Sequence, residues 1–81
     1  MTDAIRQLVL DELPHVETLA EDDDLLAPGM LDSLAIIRVV AALEDEVGIT
    51  VEQEEIDPAH FRSLATIRAL VAAKTEAKRG A

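Results

Sequence analysis

The sequence predicts an all-α protein, a four-helix bundle of three long helices and one short third helix with a long first loop. Apolar residues recur at helical spacing in three long stretches, each opened by a helix-start residue such as Asp or Ser. Phe61 is the one aromatic residue, so Leu, Ile, Val and Ala must fill the core, which favours helices packed through aliphatic ridges. The one short extended piece is Ile49-Thr50-Val51, which reads as a connector.

The elements follow in order. Thr2 or Asp3 can cap a first helix over 3–13, whose Ile5, Leu8, Val9 and Leu13 fall at offsets 3, 4 and 8 on one face, and Pro14 stops it. From Pro14 to Asp32 the chain reads as an acid-rich loop pinned by Val16, Leu19, Leu25, Leu26 and Met30; an ordered loop of this length is usually functional. The second helix is predicted over 33–47 and ends at Gly48, a good left-handed terminator. Its residues Ile36, Val39, Val40, Leu43 and Val47 form a core-facing stripe at offsets 3, 4, 7 and 11. A second stripe, Leu34, Ile37 and Ala41, lies on another side together with Arg38 and exceeds what one buried face requires. Asp57-Pro58 opens the short third helix, 57–62, with Phe61 turned inward. Ser63 can cap the fourth, 64–77, which carries Leu64, Ile67, Leu70 and Val71 and frays in its basic end beyond Lys74.

Composition narrows the function. A chain of 81 residues reads as a single domain over 1–81 that buries about 60% of its extended surface, leaving no second core or deep substrate cavity. The absence of Cys excludes disulfides, thiolate metal sites and thiol catalysis, and fits a cytoplasmic protein. No uncharged run approaches the ~20 residues of a membrane span, and the N-terminus lacks a basic-then-apolar leader. A formal charge of −10 repels nucleic acid and anionic lipid, so neither is expected as a partner, whereas basic protein surfaces are. Asp22-Asp23-Asp24 lacks the alternating oxygen ligands, Gly and Glu of a calcium loop, and His15 and His60 alone make no metal site, so none is expected.

The motif that carries chemistry is Gly29-Met30-Leu31-Asp32-Ser33-Leu34. Pro28-Gly29 marks a turn, Asp32 and Ser33 are favoured helix-start residues, and Leu34 opens the apolar pattern, so a serine hydroxyl stands at the positive end of a helix. Capping alone accounts for such a pair. A serine hydrolase would need a base near Ser33, with only His15 and His60 to supply one, and the motif is not Gly-x-Ser-x-Gly.

Together with Asp22-Asp23-Asp24-Leu25-Leu26, Leu43-Glu44-Asp45-Glu46-Val47-Gly48-Ile49 and Phe61-Arg62-Ser63-Leu64-Ala65-Thr66-Ile67, this motif resembles the acyl carrier protein family, which includes acyl, D-alanyl and peptidyl carriers. The resemblance runs from about residue 4 to 75. It implies that Ser33 is esterified by 4′-phosphopantetheine from coenzyme A, that the thiol of this arm carries an acyl or aminoacyl group as a thioester, and that the protein catalyses nothing itself. It implies a role for Asp32 in engaging the phosphopantetheinyl transferase. It also marks Leu34, Ile37, Arg38, Ala41, Glu44 and Asp45 as the face read by partners: the transferase, a loading ligase or acyltransferase, and downstream acyl-using enzymes. Ala35 and Arg38 stand where fatty-acid-synthase carriers are typically acidic, and the Gly-Gly-x-Ser pattern of many modular peptidyl carriers is missing. The chain thus looks most like a freestanding, monomeric, D-alanyl-carrier-like protein. The alternatives are a fatty acid or polyketide synthase acyl carrier and, from another class, a cofactor-free acidic helical adaptor.

Overall fold

The structure, a computed structural model, describes residues 3–80. Three α-helices, α1 (Ala4–Asp11), α2 (Ser33–Val47) and α3 (Leu64–Gly80), are joined by a long first loop and by two short 3₁₀ turns, Gln53–Glu55 and Pro58–His60. No strand occurs among the described residues.

Helix α1 starts at Asp3, whose side chain accepts the Arg6 N–H at 3.2 Å; Thr2, the alternative cap, lies outside the described residues. The predicted helix over 3–13 is too long. A proline disfavours helical backbone at the residue before it, and with Pro14 so near the chain tightens after Asp11, the Glu12 and Leu13 N–H groups donating to the Val9 and Leu10 carbonyls only three residues back. Helix α2 occupies the predicted residues. Gly48, at φ +78°, ends it in the left-handed region, and its N–H returns to the Glu44 carbonyl.

The short third α-helix expected over 57–62 is instead the 3₁₀ turn Pro58–His60. Asp57 accepts the Ala59 N–H at 2.8 Å, and the Phe61 N–H closes on the Pro58 carbonyl after a single turn. Phe61 must drop into the core at once, which leaves no length for a regular helix. The turn Gln53–Glu55 is held by side chains: the Glu55 carboxylate accepts the Glu52 N–H at 2.9 Å and pairs with Lys74 of α3 at 2.7 Å. Helix α3 runs to Gly80, three residues past its predicted end at 77.

The core is aliphatic around Phe61, with Val9, Leu13, Leu25, Val39, Leu43, Leu64 and Ile67 fully buried. Helix α1 packs on both α2 and α3, and the turn Pro58–His60 packs on α3. Within α2 the buried stripe is Ala35, Val39, Val40 and Leu43, with Ile36 and Val47 only partly covered. Ala35, which the core-facing stripe predicted from spacing did not include, therefore belongs to the core.

The first loop is ordered by specific bonds. Leu19, Leu25 and Leu31 are buried, while the loop backbone docks on the start of α3 through Leu25 N–H to Arg62 O at 2.7 Å and Ala65 N–H to Glu21 O at 3.2 Å. An ionic cluster reinforces that junction: Arg68 of α3 bonds both Asp3 and Glu21, and Arg6 bonds Glu21 as well. Hydrogen bonds from Arg68 hold the Asp3 and Glu21 carboxyls below the usual carboxylate range, and those carboxylates raise Arg68 further.

Candidate functional site

Ser33 is the first residue of α2, and the residue before it takes the capping role. Asp32 has extended backbone and its Oδ1 accepts the Ala35 N–H at 2.8 Å, while its carbonyl accepts the Ile36 N–H at 2.9 Å. The Ser33 hydroxyl is thereby released from capping: it is exposed and has no hydrogen-bond partner among the described residues. The N–H groups of Ser33 and Leu34, the first two of the helix, likewise have no acceptor among the described residues. An exposed hydroxyl beside two free N–H groups, at the positive end of a fifteen-residue helix, suits a phosphate ester. Favourable placement of a negative charge there contributes about 0.3–1 kcal/mol.

The approach to Ser33 is built by the end of the first loop. Gly29 takes φ +85°, the Met30 N–H bonds Ala27 O at 3.0 Å, and the Leu31 N–H bonds Leu25 O at 2.8 Å. Buried Leu31 then anchors the strand of chain that delivers Asp32 and Ser33 to the surface. Leu31 is not among the loop anchors expected from the sequence, because its position inside the motif follows no apolar period that would mark it as packed.

On one side Ser33 borders an apolar groove of ≈ 230 Å³ lined by Ile36, Ile37, Ile56, Asp57 and Pro58. Leu34 and Ile37 are 55% and 56% exposed, and with Ile56 they are the large apolar side chains left outside among the described residues. Ala41 and Arg38 are exposed on the same helix, and Arg38 reaches Glu12 at 3.7 Å. At the far end, Asp45 is exposed, but the half-buried Glu44 accepts the Val51 N–H at 3.0 Å and so also ties the connector to α2. Sequence spacing gives no sign of that bond, since the acceptor sits seven residues away around a left-handed glycine.

The histidines do not form a nucleophile–base pair with Ser33. His15 Nε2 donates to the Gly29 carbonyl at 2.8 Å, and His60 lies in the 3₁₀ turn Pro58–His60, where its own carbonyl accepts the Thr66 hydroxyl. Among the described residues no group of three or more metal-ligating side chains is arranged to hold a cation, and no helix is long and apolar enough to cross a membrane.

Comparison with known proteins agrees with this geometry. A family model described as the phosphopantetheine attachment site matches residues 3–73. An acyl carrier protein of Saccharopolyspora erythraea is 39% identical over 54 residues, a stretch that covers 65% of this chain and 57% of the relative. No solved structure matches the chain significantly. The matched family brings with it a covalent 4′-phosphopantetheine, and the exposed hydroxyl with its two free N–H groups fits that group. The model match spans nearly the whole helical domain, and the chain accordingly belongs to the acyl carrier protein family of phosphopantetheine-bearing proteins.

Proposed function

We propose that Ser33 is the attachment residue and that the protein is a non-catalytic carrier, moving an acyl or aminoacyl group as a thioester between biosynthetic enzymes in the cytoplasm. The observation that carries this reading is the release of the Ser33 hydroxyl by the Asp32 cap, next to two unpaired N–H groups. In the loading step the Ser33 oxygen bonds to the phosphorus on the pantetheine side of coenzyme A, the bond to the nucleotide half breaks, and the serine proton goes to a base of the transferase. The α2 N-terminus then holds the phosphodiester charge, and Asp32 keeps the first turn closed beneath it. A chain without cysteine acquires its thiol in this way.

The exposed stripe Leu34, Ile37 and Ala41, with Arg38 between its members and Glu44 and Asp45 beyond, is the proposed partner face for the transferase, a loading ligase or acyltransferase, and acyl-using enzymes. The groove beside Ser33 offers the arm an apolar surface to lie on. Incubation with coenzyme A, magnesium and a broad-specificity phosphopantetheinyl transferase is expected to add one phosphopantetheine mass per chain, and Ser33→Ala to add none. An unchanged wild-type mass would instead favour a cofactor-free adaptor.

A further inference from the structure

The turn that delivers Ser33 has an apex with little to hold it. Gly29 stands three residues before Asp32 with φ +85°, and a Cβ built on it would meet no heavy atom within 4 Å. Backbone bonds from Met30 and Leu31 close the base of the turn, but neither reaches its apex. The bond that does comes from outside: His15 Nε2–H donates to the Gly29 carbonyl at 2.8 Å, across fourteen residues of sequence.

His15 is well placed to act as a strut. The chain after α1 does not fall into open loop at once. The Leu13 N–H bonds Leu10 O, the Val16 N–H bonds Leu13 O at 2.9 Å, and the Leu13 side chain is fully buried, so the backbone on either side of His15 is tied to the core. The acceptor is a carbonyl, which fixes Nε2 as the protonated nitrogen, and both the neutral and the charged ring can donate from it. The bond therefore does not depend on the histidine's charge.

We propose that His15 is a positioning residue for modification of the carrier, holding the Pro28-Gly29 turn so that Asp32 and Ser33 reach the transferase already in their helix-start geometry. This inference rests on Ser33 being the modified residue. A segment ordered beforehand loses less freedom on docking, so the effect falls on recognition of the carrier and leaves the chemistry unchanged.

The test compares wild type with His15→Ala and with His15→Gln, whose side-chain amide can replace the Nε2 donor. The reaction is transferase with coenzyme A. His15→Ala is expected to raise KM for the carrier about two- to tenfold, the range of one exposed hydrogen bond, with kcat and the KM for coenzyme A unchanged. His15→Gln is expected to return KM to within about twofold of wild type. Amide hydrogen exchange provides a readout independent of the reaction: Met30 and Leu31 exchange faster in His15→Ala and recover in His15→Gln, while Val39 and Leu43 stay protected. Unchanged KM and exchange in His15→Ala, or a Gln variant as impaired as the Ala variant, would overturn the role of His15 alone. A wild-type chain that takes up no phosphopantetheine would overturn the Ser33 reading, and with it the positioning role.

Discussion

The chain contains two serines, each followed by leucine at the start of a helix, and the fold puts them to opposite uses. At α2 the sequence is Asp32-Ser33-Leu34. Asp32 caps, Ser33 becomes the first helical residue with a free hydroxyl, and Leu34 is 55% exposed. At α3 it is Arg62-Ser63-Leu64. Arginine cannot accept a backbone N–H, so Ser63 does the capping: its Oγ accepts the Thr66 N–H at 3.2 Å while Thr66 Oγ1 accepts the Ser63 N–H in return. Ser63 is 8% exposed, Leu64 is fully buried, and the Glu21 carbonyl closes over the Ala65 N–H. One residue before the serine decides whether its oxygen is used for folding or left for chemistry. A serine that caps is consumed, and a serine behind a better cap is available.

The leucines should break most differently. Leu64→Ala is expected to cost about 2–5 kcal/mol by urea unfolding, whereas Leu34→Ala is expected to stay within about 0.5 kcal/mol. Equal costs would show that the outer face of α2 is core after all.

A smaller effect separates the caps. Asp32→Ala and Ser63→Ala should each lose about 0.5–2 kcal/mol of stability, but only Asp32→Ala should also slow phosphopantetheine transfer. Parallel denaturation and transfer assays on the two variants check this. If Ser63→Ala slowed transfer as much as Asp32→Ala, the division of labour between the two termini would be lost.

The junction of the first loop with α3 should also respond to acid. Asp3 and Glu21 titrate below their ordinary values of 3.8 and 4.5 because Arg68 hydrogen-bonds both. Their contribution is therefore complete above those ordinary values and is lost as the pH falls through the lower folded ones. Arg68, held above its ordinary range, stays charged throughout this window. Acid unfolding of wild type should thus show a steeper loss of stability below about pH 4 than that of Arg68→Gln, with matching slopes counting against the cluster.

Much of this contrast was legible in the sequence. The span of α2 and the exposed positions of Leu34, Ile37 and Ala41 followed from helical spacing, because a surplus apolar stripe cannot pack on the same side as the first. Other features were not legible, for different reasons. The end of α1 depended on how many residues before Pro14 the helical bonding gives way. The residues 57–62 formed only a 3₁₀ turn because burial of Phe61 overrode local helix signals. Ala35 fell on the buried side since alanine is apolar but small, and it carries little weight in any periodic pattern. The docking of Glu21 and Leu25 on α3 is made by backbone groups, on which side-chain spacing is silent. At the site, the hydroxyl was readable from Asp32-Ser33, while the His15 contact with Gly29 joins two loop segments and has no periodicity to reveal it.

The most direct measurement locates the cofactor on the chain. Trypsin cuts after Arg6, Arg38, Arg62 and Arg68, so Ser33 falls in the peptide 7–38 and Ser63 in the peptide 63–68. After transfer from coenzyme A, the phosphopantetheine mass is expected on 7–38, with fragmentation assigning it to Ser33 and 63–68 unmodified. Modification on Ser63, or on both serines alike, would contradict the claim that the Asp32 cap is what frees one hydroxyl for attachment.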